Sequence, residues 1–255
     1  MNDHYIAALQ QHDETLPQRA ADLPANFVDD LAKVWLTLDE QARDIAVSCI
    51  VRMRHTGAGR FLLQLAIARG EALSLRAARA LITHVGCPDA ASLLAAARNA
   101  EDPMVRAALY LAAGNQTAPT LLFAQQVAGE SNPRARIAGR DALARLGHTP
   151  ALKEVFAAVR SATADQVPDL QDSLTYIGDK RLAKALISWL HVLDDVTRLG
   201  SDRTPDMARQ CDFGVWIAHR LNTGVAVPVP RLDNYPPAVC AAAKTVLEGL
   251  EEIAE

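Results

Sequence analysis

A chain of 255 residues with 50 % hydrophobic and only 5 % aromatic content can bury an extended core, and an apolar set dominated by Ala and Leu favours closely stacked helices over a sheet. The formal charge of −4 hides an asymmetry: residues 43–160 hold 15 Lys+Arg, 14 of them Arg, against 8 Asp+Glu, while the two ends together carry 11 basic and 22 acidic residues. The opening MNDHYIAALQQHDETL is unlike a secretory signal and no run reaches the ~18 apolar residues of a membrane span, so a cytoplasmic protein without a membrane partner is expected.

The first 24 residues predict a weak helix that caps the N-terminus. Beyond them the chain repeats itself. LSLRAARALITHVG (73–86), DPMVRAALYLAAG (102–114) and NPRARIAGRDALARLG (132–147) align so that Arg76, Arg106 and Arg136 recur at intervals of 30 residues. The register extends less regularly to Arg43, Gln171 and Arg209, as expected of terminal or interrupted repeats. Asp102-Pro103 and Asn132-Pro133 supply an N-cap followed by proline at the first helical position, with Pro168 in a similar role. Gly86, Gly114, Gly147 and Gly178 fall where left-handed residues would close the same helices. The segments before each of these helices also show helical spacing, in Phe61, Leu62, Leu65 and Ile67; in Leu93, Leu94 and Ala97; in Leu121, Leu122 and Val127; in Leu152, Val155, Phe156 and Val159; and in Leu182, Leu186, Trp189 and Leu190. Two amphipathic helices per unit cannot bury their faces alone, so neighbouring units must stack.

The pattern Asp-Pro-x-x-Arg-x-Ala-Ala resembles the second helix of HEAT repeats, particularly the short bacterial kind of phycobilisome-lyase-like proteins. The resemblance covers residues 25–224 and implies an all-α superhelix of about six helix pairs. Residues 1–24 are then a cap segment, and 225–255 a proline-rich crossing loop with a C-terminal capping helix that begins at PPAVCAAAK. The resemblance is specific for fold and poor for function, because such arrays include scaffolds, adaptors, inhibitors and a few enzymes.

The pattern breaks at DDVTRLGSDRTPD (194–206), where Asp194, Asp195, Asp202 and Asp206 read as a solvated loop or an acidic lip, without EF-hand spacing. The stretch NTGVAVPVPRLDNYPP (222–237) holds too many prolines to be helical and is expected to run extended.

Catalytic constellations are sparse. The His-Glu pairs of deoxyhypusine hydroxylases are missing from the sequence. A glycosylase-like aromatic cleft would have to use Trp189, Asp212 and Trp216, of which the tryptophans are expected in the core, and nothing is diagnostic of a chromophore lyase. His191 and Asp194 stand one helical turn apart without a third metal ligand. Cys49, Cys87, Cys211 and Cys240 form no Cys-x-x-Cys pair and read as buried thiols in a reducing compartment. No catalytic residue, metal or cofactor is assigned.

The second helices of a HEAT-like array line its concave face, so one register makes a row. Arg76 and Arg106 with Arg79, Tyr110, Arg140 and Arg145 are the candidate partner-binding residues. The register arginines are also candidates for an internal ladder with Asp102 and Asp141, whereas Arg79, Arg140 and Arg145 are expected to face solvent. The expected function is a non-enzymatic scaffold whose partner is an acidic protein, in one form an immunity-type inhibitor. Nucleic acid is disfavoured as a partner because the chain is acidic overall and its ends would repel a duplex.

Overall fold

The computed structural model describes residues 3–24, 26–70, 72–116, 120–191, 196–199, 206–229, 231–251 and 253. The fold is all-α, and the chain divides into two compact units, Met1–Ala142 and Leu143–Glu255.

The first unit begins with α1 (Asp3–Gln10), a 3₁₀ stretch Leu16–Asp22, and α2 (Phe27–Val34) running into a 3₁₀ turn Trp35–Thr37. There follow α3 (Glu40–Arg52), α4 (Thr56–Ile67), α5 (Ser74–Leu81), α6 (Ala90–Asn99), α7 (Pro103–Gly114), α8 (Thr120–Ala128) and most of α9 (Pro133–Arg145). Capping side chains set where these helices start. Asp39 accepts from the Ala42 amide at 2.8 Å, Asp89 from Ser92 at 2.8 Å and Asp102 from Met104 at 2.7 Å, ahead of Pro103. Asn132 accepts from Arg134 and Ala135 at 3.0 and 3.2 Å. His55 does the same for α4 through Nδ1, which accepts from Ala58 at 3.2 Å.

Helices α4 and α5 pair, as do α6 and α7; α5 lies between α3 and α7, and α4 lies beside α6. Two helix hairpins, α4–α5 and α6–α7, are therefore stacked side by side in the first unit. The shared interior is filled largely by small residues: Ala46, Ala58, Ala77, Ala78, Ala97, Ala108 and Ala112 are buried beside Ile50, Leu62, Leu81, Leu93 and Leu109. The alanines let the backbones come close, and two glycines take this further. A Cβ on Gly59 would sit 1.9 Å from the Gly86 carbonyl oxygen, and one on Gly86 would sit 2.2 Å from that of His55. Gly86 thus serves close approach, where the sequence reading gave it a left-handed turn. Gly114 remains the last residue of α7, while Gly147 and Gly178 do close helices with φ of +81° and +72°.

In the second unit α10 (Thr149–Arg160), α11 (Val167–Ile177) and a 3₁₀ helix Lys180–His191 precede a short hairpin. Its strands, β1 (Val196–Leu199) and β2 (Asp206–Arg209), are antiparallel, with Val196 opposite Arg209. Then come α12 (Gln210–Arg220) and α13 (Pro237–Glu248). The 3₁₀ helix packs against α10, α12 and α13, and α11 against α12. Trp189 fills the centre of this unit, donating from Nε1 to the Val159 carbonyl at 2.7 Å. Asp194, Asp195 and Asp202 of the expected acidic lip lie outside the described residues, and Asp206 opens β2.

Candidate partner-binding surface

The register arginines of α5 and α7 are tied internally, though not to the carboxylates expected from sequence. Arg76 forms an ion pair with Asp44 and donates to Ser48 Oγ at 2.7 Å, both on α3. Arg106 donates from Nε and Nη2 to the two oxygens of Glu130 at 2.9 and 3.0 Å, and from Nη1 to the carbonyls of Ala100 and Glu101. This pair is largely covered, with side-chain exposures of 16 % and 5 %. The hydrogen bonds from Arg106 hold the Glu130 carboxyl below its usual range, and those to Glu130 raise Arg106. Asp102 is occupied as the cap of α7. Asp141 takes Arg140 Nε and Nη2 at 3.0 and 2.7 Å.

Three proposed contact residues are corrected by this geometry. Tyr110 is only 2 % exposed, its ring 5.8 Å from that of Phe123 and its hydroxyl between Glu130 and Gln126, so it is a core residue and not a surface anchor. Burial raises its phenol above the ordinary value. Arg106 spends its donors on Glu130 and two carbonyls. Arg140, expected in solvent, is folded onto buried Asp141, with 16 % of its side chain exposed. Arg145 is exposed, with its guanidinium 5.1 Å from the Tyr176 ring and donating to the Tyr176 carbonyl.

What remains outside is Arg79, as expected from sequence, together with the register residue Arg136 and arginines that the aligned register did not single out. Arg54, Arg60, Arg79, Arg98 and Arg136 are exposed and have no ion pair among the described residues of this unit. The buried carboxylates Asp30, Glu130 and Asp141 are each paired with a cation. The buried acids are thus matched internally and these arginines are not, while Glu14, Asp22, Asp29 and Glu40 near the start of the chain are also exposed without an ion pair among the described residues.

Beside this set, α6 and α8 enclose a groove of about 510 Å³. Ala91, Leu94, Ala95, Arg98, Leu122 and Gln126 line it, and Arg98 is its only ionisable lining residue among those described. Gln126 is fixed by donating to the Leu94 carbonyl at 2.9 Å. Leu122 is 63 % exposed and neighbouring Leu121 70 %, although both read from sequence as inward residues. Phe123 and Val127, four apart, form the buried stripe of α8 instead.

The residues of an enzymatic alternative do not meet in a cleft. Trp189 is enclosed, and Asp212 is fully buried, held by Arg209 Nη2 and Nε at 2.9 and 3.1 Å and by the Tyr235 amide at 2.9 Å. Trp216 stacks with His219 at 5.9 Å and lies under the Arg220 guanidinium at 5.7 Å. Burial pushes the Cys49 and Cys211 thiols up to about 12 and Cys87 to about 11, opposite to what a nucleophilic thiolate requires. No helix among the described residues is long and apolar enough to cross a membrane. No protein-family model matches the chain, nor does any curated protein or solved structure.

Proposed function

We propose that this chain is a non-enzymatic, HEAT-like repeat scaffold that binds a partner protein through an acidic patch on that partner. The observation that carries this reading is the set of exposed, unpaired arginines Arg79, Arg98 and Arg136 on α5, α6 and α9, in a unit whose buried carboxylates are already matched. The 30-residue recurrence and the side-by-side packing of α5 and α7 support the repeat reading. Exposed Leu121, Leu122 and Ile137 add the apolar area that gives affinity where arginines give orientation and specificity.

Arginine is the side chain suited to carboxylates on a protein, through its planar fork of donors. The test is affinity capture from the native cell with wild type and with the triple variant Arg79→Glu, Arg98→Glu, Arg136→Glu. Because all three side chains are exposed, the variant should keep its unfolding midpoint. The reading expects a salt-sensitive protein partner retained by the wild type and lost by the variant. Equal capture by both, or retention of nucleic acid alone, would overturn it.

A further inference from the structure

The second unit contains a pair of thiols for which the partner-binding reading has no use. Cys211, in the first turn of α12, and Cys240, in α13, are both buried, and their sulfur atoms and a carboxylate oxygen of Asp212 all lie within 4.8 Å of one another. The Cys211 thiol points to Asp212 Oδ1, to which it donates at 3.9 Å. They are 29 positions apart in the chain, on two helices that pack together.

Two uses of such a cluster compete, a metal site and a disulfide. A metal needs lone pairs on the carboxylate, and those of Asp212 are taken: Oδ1 accepts from Arg209 Nη2 and the Tyr235 amide, and Oδ2 from the Arg209 amide and Nε. The adjacent guanidinium would also repel a cation. A disulfide has neither difficulty, because it is neutral and asks nothing of Asp212.

We propose that Cys211 and Cys240 are a dithiol–disulfide couple that, oxidised by a low-molecular-weight disulfide such as glutathione disulfide, staples α13 onto α12. Each cysteine gives up its proton as the new S–S bond forms. The two electrons reduce the glutathione disulfide, whose own S–S bond breaks to yield two glutathione thiols. Burial keeps both thiols protonated in the closed fold, so exchange waits for α13 to lift away. The couple is therefore slow in the native fold and is accelerated by whatever loosens the C-terminal helix.

The purified full chain is incubated in glutathione buffers from fully reducing to fully oxidising, with and without sub-denaturing urea, then alkylated and digested with trypsin without reductant. The peptides Gln210–Arg220 and Leu232–Lys244 should appear joined in oxidising buffer, faster in urea, and separate on reduction. The oxidised protein should unfold roughly 5–15 °C higher, as a disulfide closing a loop of this length predicts. Cys240→Ser should show neither effect; if it fails to fold, the wild-type peptide map still decides. Glutathione adducts without the joined peptides, links involving Cys49 or Cys87, or no rise in the unfolding temperature would overturn the proposal.

Discussion

Replacing Glu130 by Gln removes one charge from one of the two most enclosed ion pairs of the first unit while keeping its shape. In the native protein the carboxylate accepts from two guanidinium nitrogens of Arg106, from the Tyr110 hydroxyl and from the Asn132 amide. Breaking a buried pair by neutralising one partner costs roughly 3–5 kcal/mol. Arg106 keeps the carbonyls of Ala100 and Glu101 and retains 16 % side-chain exposure, so the loss should be nearer about 2–4 kcal/mol. With a urea m-value of about 2 kcal/mol/M, the midpoint of the transition that exposes this unit falls by roughly 1–2 M. In the cycle of Arg106→Met, Glu130→Leu and their double variant, the double should cost less than the sum of the singles by more than about 1 kcal/mol. A single-variant cost under about 0.5 kcal/mol, the range of exposed surface pairs, would refute the reasoning. The sign against pH follows from the lowered carboxyl. The contribution is fully present above the unfolded value of 4.5 and is lost as pH falls through the lower folded value, so it stays constant between pH 7 and 5.

His84 acts in a separate window. Its Nε2 faces the Ile50 carbonyl at 3.2 Å and its Nδ1 accepts from the Gly86 amide at 3.0 Å, so the buried ring is fully used when neutral, and desolvation lowers its pKa below 6.5. Stability from His84 is therefore complete above pH 6.5 and declines as pH falls toward the folded value; urea midpoints should drop between pH 7 and 5 in the wild type and less in His84→Gln. Gly86→Ala should cost about 2–3 kcal/mol by thermal or urea unfolding, because its Cβ meets the His55 carbonyl oxygen at 2.2 Å; a cost near zero would mean that α4 and the turn after α5 are not held this close.

The fold was readable because its signals are local. Asp102 and Asn132 cap the helices where their side chains predicted, and α3 to α12 carry apolar stripes whose spacing needs no knowledge of the partner helix. The faces of individual arginines were not readable, because they depend on acids supplied by other elements. Glu130 lies in the connection after α8, outside the aligned motif, and yet it captures Arg106 and encloses Tyr110. Arg140 turns onto the very next residue, a pairing that helix-face spacing does not anticipate. In Leu121-Leu122-Phe123 three apolar residues run together, and only the positions of α6 and α7 decide that Phe123 goes inside and the leucines stay out. The proximity of Cys211 and Cys240 depends on the path of residues 222–237, which composition marks as non-helical without saying where it leads.

Contact between the exposed arginines of the first unit and an acidic partner, as proposed, is open to direct measurement. Once a partner is captured, mass-spectrometric mapping of arginine modification by phenylglyoxal, with and without it, reads this directly. The account predicts that Arg79, Arg98 and Arg136 become protected while Arg220 stays reactive. Unchanged reactivity at those three positions, with protection confined to the second unit, would contradict it.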